Sequence, residues 1–231
     1  MFDDLTAQLG VIARSRVERA GISWSELESQ ATHIVIFGSF ALSGATASSD
    51  LDILCVGKGK RIRSPELHLI WISPQRTTSR EWLTSELATH VATYGKWIKG
   101  ENTWALFKTP SEHALSRKKQ RIYQRTLALF RHWNDLGSHY QYRHLLNLRR
   151  DLQRYALMKA GQAPIPKTFL DAFWTQCAKT ERWEPLLNEV PDLIPQLQFI
   201  LAQSKDFEPV HRSKSWNTQA SEKNRATSQE P

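Results

Sequence analysis

The sequence predicts an α+β fold, in which a small mixed sheet with flanking helices precedes an all-helical C-terminal lobe. Three observations predict it. Short apolar runs of the kind that form buried strands mark residues 1–108. From residue 109 onward, apolar residues recur with helical spacing. Beyond residue 203, polar residues dominate. We therefore expect a core at 1–108, a helical lobe at 109–203 and a disordered tail at 204–231.

In the first part, apolar spacing and turn residues define the elements. The segment Ser25–Gln30 is either a short helix or the approach to the first strand. The predicted helices are Leu5–Ala20, Ser39–Ser43 and one that begins at Thr78 or Ser79 and ends at Tyr94. The predicted strands are His33–Phe37, Leu51–Val56 and Leu67–Ile72. This order fits a small mixed sheet with its helices on one face.

In the second part, a helix start is predicted at the Thr-Pro-Ser-Glu sequence of residues 109–112. Thr109 is the expected N-cap, Pro110 the first helical residue and Glu112 the residue that closes the capping box. Helical spacing continues from there to Leu136. The other helices predicted in this part are Tyr140–Ala160, Lys167–Ala178 and Leu193–Ala202.

The positive charge of the chain is concentrated in one segment. The 231 residues carry a net charge of +8, and residues 111–160 contain eleven Lys or Arg against three Asp or Glu. Arg117, Arg121 and Arg125 recur every four residues and so share one face of the predicted helix. A cationic stripe of this kind is either a solvated face or a wall that binds triphosphate or nucleic acid. For the cluster as a whole, we expect anion binding.

Cysteine content and hydropathy limit the compartment. The chain has only Cys55 and Cys177, which form no disulfide framework, so a reduced cytoplasm is the simplest expectation. Hydrophobic residues make up 40% of the chain, and no apolar run approaches the ~20 residues that a spanning helix needs. We expect no membrane partner.

The most informative motif lies between the first two predicted strands. Gly38-Ser39 follows the first strand, and Asp50 and Asp52 lie at the start of the second. Because strand side chains alternate, the two carboxylates point the same way. Carboxylates, waters and substrate phosphates are the ligands that Mg²⁺ prefers. A Gly-Ser turn at a strand end offers amides and a hydroxyl to an anion. The motif therefore indicates a site for a metal ion and a nucleoside triphosphate.

This motif resembles the signature of the DNA polymerase β-like nucleotidyltransferase superfamily, which is Gly-Ser, a spacer and Asp-x-Asp. The resemblance covers roughly residues 34–57, about a tenth of the chain. It implies the nucleotidyltransferase core fold and a two-metal mechanism. Asp50 and Asp52 would then hold Mg²⁺ or Mn²⁺, while Gly38 and Ser39 would bind the β- and γ-phosphates of the NTP. Arg117 and Arg121 are the candidate cations on the helical side.

The resemblance also implies a third carboxylate on a neighbouring strand, and that position departs from the pattern. The third predicted strand has His68 where an Asp is expected, and Glu66 lies at its entrance. Three interpretations remain open. Glu66 is the third acid, His68 replaces it as general base, or catalysis is impaired while nucleotide binding survives.

The predicted function is Mg-dependent transfer of a nucleoside monophosphate from an NTP to an acceptor hydroxyl, with release of pyrophosphate. The acceptor is open among RNA, protein and small molecules. The basic helical segment makes nucleic acid a candidate partner. The alternative is a catalytically impaired nucleotide-binding protein, regulatory or antitoxin-like, on the same fold.

Overall fold

The computed structural model describes residues 2–176 and 183–204, with only the backbone of residues 2–4. Cys177 and the predicted disordered tail after Ser204 lie outside these residues. The strands are β1 (Ala31–Phe37), β2 (Leu51–Gly57), β3 (Ile62–Arg63), β4 (Leu67–Ile72) and β5 (Lys96–Lys99). The first helices are α1 (Phe2–Arg19), α2 (Trp24–Gln30), α3 (Gly38–Ala41), α4 (Pro74–Thr77), α5 (Arg80–Leu83) and α6 (Glu86–Tyr94). The later helices are α7 (Glu112–His132), α8 (Ser138–Lys159), α9 (Lys167–Gln176), α10 (Glu184–Leu187) and α11 (Ile194–Gln203).

The five strands form one mixed sheet in the order β3-β4-β2-β1-β5. β1 is antiparallel to β2 and β5, β2 is parallel to β4, and β3 is antiparallel to β4. The described helices that follow β5, α7 to α11, form the C-terminal helical part. The predicted fold class, a mixed sheet with flanking helices followed by a helical lobe, is confirmed. The predicted domain boundary after residue 108 stays a prediction.

Helices cover both faces of the sheet, so the expectation of helices on one face was wrong. One face packs against Leu9, Ala13 and Val17 of α1 and against α2. The opposite face packs against Trp82 of α5 and Val91 of α6. The strands show the reason, because residues 34–37 of β1 and residues 53–56 of β2 are buried continuously rather than in alternation. A strand that is apolar on both faces needs a cover on both.

Serine caps divide the region after β4, where the sequence predicted a single helix. The Ser79 hydroxyl accepts a hydrogen bond from the Trp82 amide at the start of α5. The Ser85 hydroxyl does the same for the Ala88 amide at the start of α6. Each serine has extended backbone angles, which interrupt the helical path. The short strands β3 and β5, also not predicted, are edge strands held by pairing with β4 and β1.

The N-cap of α7 lies two residues later in the chain than the sequence predicted. Ser111, and not Thr109, is the N-cap, because its hydroxyl accepts from the Ala114 amide. Pro110 therefore precedes the helix instead of opening it. α8 and α11 lie within two residues of their predicted bounds, and α9 follows its prediction to Gln176, where the described part ends.

The core and the helical lobe are joined by a buried group of charges. Lys118 of α7 is 1% exposed, and its Nζ lies 2.8 Å from Glu86 Oε2 of α6 and 2.9 Å from Asp151 Oδ1 of α8. Arg125 completes the group by pairing with the second oxygen of Asp151. A charge this buried is tolerated because both its carboxylate partners are in place. Lys118 thereby fixes α6 of the core against two helices of the lobe.

Two further features of the fold concern expectations from the sequence. Cys55 of β2 is a free thiol and fully buried, and this burial raises its pKa to about 12. A thiol in that environment behaves as a small apolar residue. No helix among the described residues combines the length and the apolar character that crossing a membrane requires.

Replacing Lys118 by Met tests this junction. The change keeps most of the apolar stem but leaves Glu86 and Asp151 without their shared cation. We expect the free energy of unfolding to fall by about 3 kcal/mol, measured by urea denaturation. Lys119→Met is the matched control, because Lys119 is exposed and reaches Asp192 only at 3.8 Å. It should change stability by less than about 0.5 kcal/mol. Equal losses in the two variants would contradict the assigned role.

Candidate functional site

The pairing of β1 with β2 brings the Gly-Ser turn to the second aspartate of the motif. Phe37, the last residue of β1, lies opposite Asp52 in the antiparallel ladder. Gly38 follows with φ +74°, and a Cβ built there would lie 2.4 Å from Asp52 Oδ2. Only glycine satisfies both the backbone angle and the close contact. The turn and the carboxylate therefore form one compact unit.

A cavity of about 370 Å³ opens at this unit, between the sheet and the helical lobe. The core side supplies carboxylates, and the lobe side supplies most of the cations. The titratable side chains that line the cavity are Asp50, Asp52, Glu86, Arg63, Arg154, Lys167, His68 and His90. A cavity with carboxylates on its core side and most of its cationic side chains on its lobe side can accommodate a metal ion and a phosphate group together.

His68 orients Asp52 through the parallel pairing of β2 with β4. The two residues are direct register partners, and His68 Nδ1 lies 3.0 Å from Asp52 Oδ1. The other ring nitrogen, Nε2, lies 3.0 Å from the Arg61 guanidinium. Because a guanidinium can only donate, Nε2 accepts and the Nδ1 proton is donated to Asp52. In this arrangement both ring nitrogens of His68 are occupied, and neither faces a substrate as a free base.

The two aspartates suit a divalent cation. Burial raises the pKa of Asp52, the His68 hydrogen bond counters this, and the charge of Asp50 raises it further. Asp50 makes no hydrogen bond or ion pair within the described part of the chain. Both carboxylates line the cavity, and carboxylates are ligands that Mg²⁺ accepts together with waters and substrate phosphates. Over residues 2–176 and 183–204, no group of three His, Cys, Asp or Glu side chains could hold a metal ion.

The phosphate cradle expected at Gly38 and Ser39 stays a prediction, and one of its donors has a partner within the protein. The Gly38 amide donates to His90 Nε2 at 3.2 Å, so in this structure it is not free for a phosphate oxygen. The Ser39 side chain lines the cavity and remains the available donor of the pair. The reason is tertiary, because His90 reaches the turn from α6, 52 residues further along the chain.

The other predicted site residues are distributed unevenly. Glu66 lies outside the cavity, where its exposed carboxylate pairs with Arg19 at 3.0 Å. Arg117 is exposed on α7 and does not line the cavity. Arg121 lies at the edge, since its guanidinium reaches Glu86 Oε1 at 3.3 Å. Of the candidates for the third position, the structure brings only His68 to the aspartates.

Sequence reasoning did not single out Glu86, His90 or Lys167, all of which line the cavity together with Arg154. None belongs to a local motif, because they come from α6, α8 and the start of α9 and meet only through packing of the lobe on the core. The one signal in the sequence was the pairing of Glu86 and His90 at helical i, i+4 spacing, which places both on one face of a helix.

The excess positive charge of residues 111–160 is mostly engaged in ion pairs. Lys118, Arg121, Arg125, Arg149, Arg150 and Lys159 all pair with carboxylates. Several of those carboxylates lie outside the segment, namely Glu86, Asp171 and Glu189. Arg149 and Arg150 share Asp171 of α9, and Arg150 Nε lies 3.0 Å from it. Much of the charge therefore joins helices, and anion binding by the cluster as a whole stays a prediction.

Comparison with known proteins gives one family match. Residues 23–121 match the family model described as a nucleotidyltransferase domain. Among solved structures, spectinomycin adenyltransferase AAD(9) from Enterococcus faecialis, solved with ATP and spectinomycin, is 17% identical with a TM-score of 0.41. That match covers 78% of this chain and 93% of the other. A nucleotidyltransferase-like protein from Exiguobacterium sibiricum is 18% identical with a TM-score of 0.34, over 78% of this chain and 72% of the other. No curated protein matches.

Gly38→Ala tests the contact between the turn and Asp52. Gly161→Ala is the matched control, because Gly161 has φ +76° but no atom within 4 Å of a built Cβ. The control should lose about 1 kcal/mol for the unfavourable φ alone. Gly38→Ala should lose at least about 1 kcal/mol more, since its Cβ displaces a carboxylate that His68 holds. The measurement is urea denaturation, and equal losses would contradict the close contact.

Proposed function

We propose that the protein transfers a nucleoside monophosphate from an NTP to an acceptor hydroxyl, since residues 23–121 match the nucleotidyltransferase domain model. Pyrophosphate is released. Asp50 and Asp52 would hold Mg²⁺ or Mn²⁺, which when bound aligns the triphosphate and neutralises the charge that develops on transfer. A cytoplasmic location stays a prediction.

The observation that carries the proposal is the opposition of charges across one cavity. Asp50 and Asp52 lie on the core wall, while Arg154 and Lys167 come from the lobe. The positive charge of Lys167 is near enough to lower the pKa of Asp52. Arg63 adds a cation from the sheet edge. A metal-bound triphosphate has this pattern of charge, with a cation at one end and free phosphate oxygens at the other.

Each wall of the cavity has a separate role in this proposal. Asp52 is held in a fixed orientation by His68, so that its oxygens meet the metal without a large loss of side-chain entropy. Ser39, Arg154 and Lys167 bind the phosphates. Glu86 is the remaining carboxylate of the cavity lining, and it can accept a hydrogen bond from the acceptor hydroxyl. Lys118 and Arg121 each pair with one of its oxygens and so fix the orientation of this carboxylate.

One observation favours the second candidate, a nucleotide-binding protein with impaired catalysis. His68 takes the place of the third carboxylate, and both its ring nitrogens are engaged, with Asp52 and with Arg61. Such a site would keep the metal and triphosphate but lack an acid at the third position. The two candidates differ in one measurement. The enzyme releases pyrophosphate from NTP in the presence of acceptor, whereas the binder gains thermal stability from NTP and Mg²⁺ without release.

The acceptor is open, but the location of free positive charge supports a polyanion such as RNA. Four exposed cations lie close together in the chain after β2, with Lys58, Lys60 and Arg61 in the turn to β3 and Arg63 at the end of β3. None of the four forms an ion pair with a carboxylate in the described part of the chain. Arg61 contacts His68 and Arg63 lines the cavity, so this turn borders the site. The proposed nucleic-acid surface is therefore this turn rather than the arginines of α7.

The double variant Asp50→Asn with Asp52→Asn tests the metal site. It should reduce Mg²⁺-dependent pyrophosphate release from NTP to background, because the cation loses both carboxylates. It should also lose the rise in melting temperature that NTP and Mg²⁺ give. Glu66→Gln is the control and should behave as the wild type, since Glu66 lies outside the cavity. Undiminished turnover in the double variant would overturn the assignment.

RNA affinity as a function of salt tests the acceptor proposal. Each phosphate contact of a single strand contributes about −0.7 to the slope of log K against log salt. Lys58→Ser with Lys60→Ser, which removes two such contacts, should therefore flatten the slope by about 1.4. Arg131→Ser with Arg143→Ser removes the same charge from exposed lobe positions and should leave the slope unchanged. A flat dependence in the wild-type protein would contradict a polyanionic acceptor.

A further inference from the structure

His90 connects three separate parts of the structure from a buried position. It lies in α6, is 6% exposed and lines the cavity. Its Nε2 accepts from the Gly38 amide at 3.2 Å, and its Nδ1 lies 2.6 Å from the carbonyl oxygen of Pro164. Gly38 belongs to the turn after β1, while Pro164 belongs to the segment between α8 and α9. One side chain therefore links the sheet, α6 and the lobe.

The chemistry of the two partners fixes the state of the ring. An amide N–H can only donate and a carbonyl can only accept, so the ring is neutral with its proton on Nδ1. Burial lowers the pKa of His90, and the charge of Arg154 lowers it further. Phe37 and Tyr94 pack against the ring, with centroids 6.2 Å and 5.3 Å away. Ring orientation and tautomer are both determined by this environment.

The segment that His90 holds leads directly to cavity cations. The Pro164 carbonyl accepts from His90, and the neighbouring carbonyl of Ile165 accepts from Arg154 Nε at 3.1 Å. Two residues later α9 begins at Lys167, which lines the cavity with Thr168. The position of Lys167 relative to the Gly38–Ser39 turn thus depends on consecutive carbonyls held from α6 and α8.

We propose that His90 is a positioning residue of the nucleotide site, which sets the distance between the Gly38–Ser39 turn and the cation-bearing start of α9. The inference rests on the proposed function. His90 takes no proton from the substrate in this role. It keeps the Gly38–Ser39 turn and the start of α9 at a fixed distance from each other, and this requires both hydrogen bonds of His90 at once.

Two substitutions separate the two bonds. In His90→Asn, the amide nitrogen lies near the position of Nδ1, so the Pro164 bond is kept and the Gly38 bond is lost. In His90→Gln, the amide oxygen lies near the position of Nε2, so the Gly38 bond is kept and the Pro164 bond is lost. Because the link needs both ends, each variant should weaken affinity for NTP with Mg²⁺ about tenfold. His90→Ala should lose about as much as either, and not the product of the two losses.

Hydrogen exchange supplies a second measurement that needs no activity. The Gly38 amide should exchange at least about tenfold faster in His90→Asn than in His90→Gln, since only the former lacks its acceptor. His33→Asn is the control, because His33 lies at the far end of β1 and outside the cavity. It should leave both NTP affinity and Gly38 exchange unchanged.

The outcomes distinguish the inference from the function on which it rests. Wild-type affinity in either His90→Asn or His90→Gln would overturn the positioning role, as would equal Gly38 exchange in both. A loss in His90→Ala equal to the product of the two single losses would show independent bonds and would also overturn it. If the wild-type protein binds no NTP, the proposed function fails, and the exchange rates still decide whether His90 holds the turn.

Discussion

The antiparallel pairing of β1 with β2 is the constraint on which the site depends. It places Phe37 opposite Asp52 and so brings the Gly38 turn against the carboxylate. Side chains alternate along a strand, so a slip of one residue would turn Asp52 to the opposite face of the sheet. The register is secured because both faces of these strands are buried under helices. The packing that stabilises the core therefore also fixes the geometry of the site.

The charges of the helical lobe serve mainly to join elements. Lys118 connects α6 to α8 through Glu86 and Asp151, and Arg149 and Arg150 connect α8 to α9 through Asp171. A segment with a large excess of one sign needs carboxylates from elsewhere in the chain, and those partners determine how the helices pack. The lobe cations that line the cavity, Arg154 and Lys167, lie where the lobe meets the sheet.

At the third position of the motif, where a carboxylate is expected, the chain has a histidine that still contacts an aspartate of the site. A carboxylate there would share a metal with Asp50 and Asp52. His68 instead donates to Asp52 and accepts from Arg61, which orients the aspartate but adds no negative charge. Glu86 of α6 carries the only further carboxylate among the described residues that line the cavity.

Local patterns determined β1, β2 and β4, the long helices, the Gly-Ser turn and the two aspartates, because each depends on periodicity or on spacing within a few residues. The serine caps that divide α5 from α6 also lie in the sequence, but they compete with a helical apolar pattern, and extended angles at Ser85 prevail. Only the tertiary structure decided the rest. Glu86 and His90 of α6, Arg154 of α8 and Lys167 of α9 share no motif, so only the docking of the lobe on the core brings all four to one cavity with Asp52. The same docking assigned the Gly38 amide to His90, which no local pattern contains.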